Sequence, residues 1–323
     1  MKTTSFVLLV LLVGTVWPVA AQTGSVTHNS WTSGAPIPTA VWFPATAVLG
    51  GKVYLVGGCV SGWDVIADTQ IYDPATESWS TGASVPSPTC SAVAAVVKNV
   101  LYVIGGSSDA QGFTVLSSVW AYSPKTKEWS AMADMPTARD GAAVAVVNNT
   151  IYVIGGNVGG NGVWVATVES YTPATNTWQE ESPMLTAKTN TSAGLFGSKT
   201  GGYTIVDGDG YSLSGETGDN EAYDVLTNTW SALSSDPTPR DASCSGAIGS
   251  SLYVAGGRGS NGVAIGTNES FKLSKNKWST LAAMPQATAF GGSAVYKGQL
   301  YCFGGSVDVY GGTIVNNVQI YQP

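Results

Sequence analysis

The ionic residues best suited to binding chemistry recur in pairs. An Arg-Asp dipeptide stands at Arg139 and Asp140 and again at Arg240 and Asp241. An arginine fork can hold a carboxylate or sugar hydroxyls, and a carboxylate can accept hydrogen bonds from a ligand. The same part of the chain supplies four more charged candidates for a ligand site: Lys188, Asp207, Asp209 and Arg258. The alternative is that these residues bridge only to each other or to loop carbonyls.

Aromatic residues form a second set of candidates. Trp42 and Trp63, with Asp64 and Tyr310, could form a platform that stacks on a sugar or contacts a protein. Aromatic side chains outside a core are enriched at recognition surfaces. The alternative is that these rings fill gaps between loops.

The chain carries no recognisable catalytic motif: Gly-x-Ser-x-Gly, His-Glu-x-x-His and the P-loop are all absent. A single histidine, His28, excludes a His-rich metal or haem site. The run from Asp207 to Asp209 resembles the start of a calcium loop, but the third oxygen ligand and the terminal Glu are missing. We therefore predict no metal and no cofactor.

Composition narrows the protein class. The 323 residues carry a net charge of −7, only 11% are charged, and 44% are hydrophobic. This much apolar material can fill a large core, which excludes a disordered chain. The acidic balance argues against a nucleic-acid partner, because phosphate binding needs a basic surface.

The N-terminus has the features of an export signal. Lys2 precedes an apolar run from Phe6 to Val16, and small residues up to Ala21 fit a cleavage site. The run is shorter than the ~20 residues of a spanning helix. We expect residues 1–21 to be a signal peptide, and residues 22–323 to form one secreted domain without a membrane span, extracellular or, in a bacterial source, periplasmic.

A hexapeptide pattern recurs six times and defines a repeat. Its copies resemble Ile151-Tyr-Val-Ile-Gly-Gly156, and Asp207 replaces the first glycine in the fourth copy. That glycine position falls at residues 57, 105, 155, 207, 256 and 304. Each copy precedes an aromatic residue, and in five copies a Trp follows seven positions later. The pattern predicts four short strands per repeat, because β-rich runs alternate with turn residues.

The ends of the chain complement each other. Tyr321 has no Trp after it, whereas Trp31 stands 48 residues before Trp79 without a Tyr before it. An N-terminal strand carrying Trp31 would complete the last sheet and leave no edge exposed.

The Gly-Gly, Tyr-Asp-Pro and Trp pattern, as in Ile71–Pro74 with Trp79, resembles the kelch repeat. The resemblance covers nearly all of residues 22–323. It implies an all-β, six-bladed kelch β-propeller with four-stranded blades, closed by the N-terminal strand. Kelch proteins generally bind ligands at the mouth formed by the loops after Gly-Gly and before each first strand. The repeat positions place the eight ionic candidates at this mouth, on blades three to five.

The four cysteines suggest disulfides in an exported chain. Cys59 and Cys90 fall at the mouth of adjacent blades, and Cys244 and Cys302 fall in strands of blades five and six. Buried free thiols remain the alternative. Three sequons would accept glycans if the source is eukaryotic: Asn148, Asn190 and Asn268.

These observations favour a secreted, monomeric, non-catalytic protein that binds a protein or glycan at its mouth. The alternative is a carbohydrate-active enzyme similar to the sialic-acid mutarotases, which are also six-bladed kelch propellers. The copper enzymes similar to galactose oxidase need two histidine ligands, which this chain does not have. Plant specifier proteins are cytosolic, unlike a chain with an export signal.

Overall fold

The computed structural model describes residues 1, 27–160, 162–198, 200–308 and 312–323. Residues 2–21 of the expected signal peptide and the candidate Tyr310 lie outside this range. Apart from a 3-10 turn at Leu273–Lys275, the regular structure in the described ranges is β-sheet.

Six four-stranded antiparallel sheets form the blades. Blade one contains β2 to β5 at Ala45–Leu49, Lys52–Val56, Thr69–Asp73 and Ser78–Thr81. Blade two contains β6 to β9 at Val93–Val97, Val100–Ile104, Val119–Ser123 and Glu128–Ala131. Blade three contains β10 to β13 at Ala143–Val147, Thr150–Ile154, Val168–Thr172 and Thr177–Glu181.

The other three blades follow the same order with two insertions. Blade four contains β14, β15, β18 and β19 at Ser192–Ser198, Gly202–Gly208, Glu221–Asp224 and Thr229–Ala232. Blade five contains β21, β22, β24 and β25 at Cys244–Ile248, Ser251–Ala255, Asn268–Lys272 and Lys277–Thr280. Blade six contains β26, β27, β28 and β1 at Gly292–Tyr296, Gln299–Phe303, Val318–Gln322 and Ser30–Gly34. Two short ribbons at the mouth pair β16 with β17 and β20 with β23: Tyr211–Ser212 with Gly215–Glu216, and Arg240–Asp241 with Arg258–Gly259.

The first strands of the blades contact one another in a closed circle, β2, β6, β10, β14, β21, β26 and back to β2. Small side chains such as Ala95 and Ala145 line a narrow central channel of about 270 Å³. The predicted six-bladed propeller with four-stranded blades is therefore confirmed.

The N-terminal strand closes the ring as predicted. In β1, Trp31 pairs with Tyr321 of β28, and their ring centroids are 5.0 Å apart. The Trp31 indole also donates a 2.8 Å hydrogen bond to the Ala282 carbonyl, which follows the outer strand of blade five. The other five repeat tryptophans donate the same bond to the preceding blade, at 2.8–3.0 Å: Trp79, Trp129, Trp178, Trp230 and Trp278.

The paired glycines are required where the second strand ends at the mouth. Gly155 and Gly156 have φ of +62° and +109°, a region that L side chains rarely adopt. A Cβ on Gly155 would also lie 2.6 Å from the Lys188 carbonyl oxygen of the next loop. Blades therefore pack closely here because this position has no side chain.

Both expected disulfides are present. Cys59 is bonded to Cys90, which joins the mouth loops of blades one and two. Cys244 of β21 is bonded to Cys302 of β27, which joins blades five and six. The Cα atoms are 5.6 Å apart in each bridge.

The three sequons differ in accessibility. Asn148 is exposed in the turn between β10 and β11, and Asn190 is half-buried at the mouth. Asn268 is fully buried in β24, where its amide donates to the Ala282 carbonyl at 3.0 Å. The expectation of a glycan at Asn268 is corrected, because the folded chain does not expose this side chain.

No helix with the length and apolar character of a membrane span occurs in the described ranges.

Candidate functional site

A cavity of about 420 Å³ opens at the predicted mouth. Its walls come from the loops that precede the first strands and from the loops that follow the Gly-Gly positions. The volume lies within the roughly 300–1,000 Å³ typical of small-molecule sites. The loops therefore form a built concavity where the repeat pattern places them.

One wall of the cavity is aromatic. Trp42 packs edge-on against Phe290 at 5.8 Å, and Phe43 lies 4.7 Å from Phe290 between ring centroids. Trp63 stands edge-on to Trp42 at 5.5 Å and remains 42% exposed. The alternative that Trp42 fills a gap fits its burial, but Trp63 presents a free ring surface at the opening.

The opposite wall combines aromatic and charged groups. Trp164 lies 5.2 Å from Tyr211, and the guanidinium of Arg258 stacks 4.8 Å from the Tyr211 ring centroid. The guanidinium carbon also lies 5.4 Å from the Phe290 ring centroid. Two rings are therefore close enough to stabilise this guanidinium by cation–π attraction.

Two guanidinium nitrogens of Arg258 also pair with carboxylates. Its Nε and Nη2 donate 2.9 Å hydrogen bonds to the two carboxylate oxygens of Asp241, and Glu216 lies 3.3 Å from Nε. Burial raises the pKa of Asp241 to about 6, although Arg258 opposes the rise. Arg258 is thus a positioned part of the wall with its charge already neutralised.

Asp140 faces the cavity without such a partner. It is 9% exposed, and within the described residues no Lys or Arg lies at ion-pair distance from it. Burial raises its pKa to about 7, with a further rise from Asp109, while the Asn157 amide opposes the shift. The carboxylate of Asp109 is itself held by backbone N–H donors of the loop, including those of Phe113 and Thr114.

Three predicted cations lie beneath the mouth instead. Arg139, Lys188 and Arg240 are each at most 1% exposed and do not line the cavity. Arg139 pairs with Glu169 at 3.0 Å, and Lys188 pairs with Asp207 at 3.1 Å. Arg240 pairs with Glu269 and, at 3.3 Å, with Asp236. The expected placement of these cations against a ligand is therefore corrected, because acids of their own blades surround them.

The remaining candidates lie outside the cavity wall. Asp209 is fully buried, and its carboxylate accepts hydrogen bonds from Ser192 and Ser243. Burial raises the pKa of Asp209 well above its usual range. Asp64 is exposed beside Trp63 but does not line the cavity. In the described part of the chain, no cluster of three or more His, Cys, Asp or Glu residues could hold a metal ion.

The comparisons with known proteins agree with the repeat pattern. The KLHDC2/KLHL20/DRC7 kelch-repeats domain matches residues 16–156. The kelch motif matches residues 138–185 and 239–285. The chain belongs to the kelch-repeat family.

Solved structures that share the kelch fold include the structure of YjhT, which is 20% identical. The alignment covers 88% of this chain and 95% of the YjhT chain, with a TM-score of 0.75. This likeness supports the fold. No curated protein sequence matches the chain.

Several residues that line the cavity of this kelch protein are not among the candidates identified from the sequence. Tyr211 and Asn157 lie in mouth loops whose residues vary between blades. Phe43 and Phe290 do carry a signal, because both stand 14 residues before the first glycine of their blade's pair. The acids that neutralise the buried cations do leave a signal. Glu169, Glu221 and Glu269 share one third-strand position, and they occur only in the three blades whose mouth loop carries Arg or Lys.

The outer rim of the mouth is apolar. The loops after the Gly-Gly positions in blades one to five each present one exposed apolar side chain: Trp63, Phe113, Val163, Leu213 and Val263. Their exposed fractions range from 38% for Val263 to 87% for Leu213. We call these five side chains, each on a different blade, the apolar crown of the mouth.

Proposed function

We propose that this kelch protein is an exported glycan-binding protein whose ligand enters the mouth cavity. The observation that carries the proposal is the pairing of exposed or cavity-lining rings, Trp63 and Trp164, with hydrogen-bonding groups between them. Such a cavity offers apolar faces for sugar rings and a few polar groups for their hydroxyls. The polar groups include Asp140 and the side-chain amides of Asn157 and Asn190.

Export is supported by two features. The N-terminal sequence has the organisation of a signal peptide, and all four cysteines are in disulfides. Disulfides persist in oxidising compartments and are rare in reducing ones.

The alternative of a sugar epimerase has less support than the sequence implied. It rested on Arg139 and Arg240 beside Asp207 and Asp209, and none of these four side chains lines the cavity. The rings and amides of the cavity suit binding.

A glycan array tests the proposal. We expect the wild-type protein to bind a set of related oligosaccharides, and Trp63→Ala to lose about tenfold or more in affinity because ring stacking is lost. Leu226→Ala is the matched control, since Leu226 is 84% exposed in a turn remote from the mouth loops. An array without a hit, or equal binding by Trp63→Ala, would contradict the proposal.

A protein partner is the second candidate, and the apolar crown favours it. Contiguous exposed apolar surface marks interaction sites in soluble proteins. Replacing Leu213 and Val263, which do not line the cavity, with Asp would then abolish binding to a partner protein while leaving oligosaccharide binding in the cavity intact. Loss of oligosaccharide binding alone would assign the crown to the glycan site instead.

A further inference from the structure

The charged residues of the mouth cavity indicate which charge the ligand carries. This inference rests on the proposed glycan-binding function. Arg258 is the only cation among the described residues that line the cavity. Asp241 and Glu216 both pair with it, and the Tyr211 and Phe290 ring centroids lie within 5.4 Å of its guanidinium carbon. A ligand carboxylate therefore meets a guanidinium whose charge two protein carboxylates already neutralise.

The acids of the cavity are not balanced in the same way. Asp140 and Asp109 both line it, and neither forms an ion pair within the described ranges. The carboxylate oxygens of Asp109 accept hydrogen bonds from backbone N–H groups of its own loop. Asp140 is more than nine-tenths buried, and only the uncharged Asn157 amide lies beside it. The cavity thus contains a buried carboxyl group that lacks a countercharge.

A buried carboxylate without a cation is costly, and a ligand cation would remove that cost. The surrounding rings add to the effect, because Trp and Tyr faces attract an ammonium group. Trp42, Trp164 and Tyr211 line the same cavity as Asp140.

We infer that the cavity takes an amine-bearing sugar, whose ammonium group pairs with Asp140 while its ring lies against the aromatic walls. Uncharged sugars bind more weakly, because they leave Asp140 without a countercharge. Sugars that carry a carboxylate are rejected, because they meet the unpaired Asp140 and would have to compete with Asp241 and Glu216 for Arg258.

Calorimetric titration of the full chain with three oligosaccharides tests this inference. The probes are oligomers of glucosamine, of N-acetylglucosamine and of galacturonic acid, at equal length and at pH 7.5. We expect glucosamine oligomers to bind about tenfold or more tightly than the N-acetylated ones, in line with a charge-assisted hydrogen bond. Galacturonate oligomers should not bind.

Two variants identify the group responsible. Asp140→Asn keeps the shape of the side chain. It should reduce the ratio of affinities for glucosamine and N-acetylglucosamine oligomers to about one, while N-acetylated oligomers still bind. Asp64→Asn removes an exposed carboxylate on the same face and should leave the preference unchanged. A preference that persists in Asp140→Asn would overturn the role of Asp140.

The pH dependence gives an independent readout. Lowering the pH from 7.5 to 5 protonates Asp140 in the free protein and also adds protons to the amines of the probe. Because the probe titrates equally with both proteins, the readout is the difference between them: the excess amine preference of wild type over Asp140→Asn should shrink as the pH falls. Asp109 is the charged group that acts on Asp140, and its pKa is lowered overall by backbone hydrogen bonds despite burial, so it stays ionised. Asp241 titrates in the same range but remains in both proteins.

The outcomes separate this inference from the proposed function. Equal or tighter binding of N-acetylated or acidic oligomers would refute the amine preference and leave glycan binding standing. Failure of all three probes would refute the amine-bearing class, and only a blank glycan array would refute glycan binding as well.

Discussion

The Nη2 atom of Arg139 lies 3.0 Å from a carboxylate oxygen of Glu169, and both side chains are almost fully buried. The guanidinium also donates to the Val153 carbonyl at 3.2 Å. The pair joins the loop before the first strand of blade three to the third strand of the same blade. Blades four and five repeat this arrangement with Lys188 and Arg240, so these cations stabilise the geometry of the mouth from below.

Breaking the pair in blade three should destabilise the fold. We expect Glu169→Leu to lower the free energy of unfolding by about 3–5 kcal/mol, because it leaves Arg139 charged and buried without a partner. Chemical denaturation measures this change. The double variant Arg139→Met with Glu169→Leu should recover most of the loss, since both charges are then gone.

The same double variant separates the structural role from ligand binding. We expect it to bind oligosaccharides as the wild-type protein does, because neither side chain lines the cavity. A folded double variant that fails to bind would show that the Arg139–Glu169 pair is needed for ligand binding.

Closure of the ring gives a second prediction. Trp31→Ala should lower the free energy of unfolding by about 3 kcal/mol, because it removes a large half-buried ring and its hydrogen bond to Ala282. Trp129→Ala is the control within a continuous blade, since Trp129 makes the same bond to Ala83. Similar losses in thermal or chemical unfolding would show that the seam is as well packed as the other blades. A neutral Trp31→Ala would contradict the contribution of the N-terminal strand.

The buried acids predict how stability changes with pH. Burial raises the pKa of Asp140 to about 7 and that of Asp209 well above its usual range. The native state therefore holds protons that the unfolded chain has released, so stability falls as the pH rises from about 4 to 7. We expect a higher melting temperature at pH 5 than at pH 7.5.

Asp140→Asn is the test of that assignment. The variant should melt higher than wild type at pH 7.5 and differ less from it at pH 5, because it removes the cost of ionising a buried carboxyl. A protein that becomes steadily more stable from pH 5 to pH 7.5 would contradict the raised pKa values.

The fold could be predicted from the sequence because its determinants repeat. Tyr, or Phe271 in blade five, packs against the repeat Trp in every blade. Gly-Gly ends the second strand in every blade except the fourth, so Trp31 could be assigned to the last sheet. The same regularity locates the mouth and the two disulfides, since Cys59 and Cys90 fall on adjacent loops.

The side chains of the site could be predicted only in part. The repeat places Arg139 near the mouth, but it does not say that the side chain turns inward to meet Glu169. Reading the third-strand position across blades would have helped, because Glu stands there in blades three to five and Trp120 stands there in blade two. The cavity rings Phe43 and Phe290 share one repeat position, 14 residues before the first glycine of the pair in blades one and six, so the repeat does place them side by side. The other four blades have no aromatic residue there, so the rest of the wall depends on the individual loops.

The location of a bound sugar tests the account most directly. A crystal structure of the protein with a glucosamine oligomer should show the sugar ring between the Trp63 side and the Trp164 side of the mouth cavity, with its amine at hydrogen-bond distance from Asp140. A sugar bound outside the mouth cavity, or bound there with its amine directed to solvent, would contradict the account.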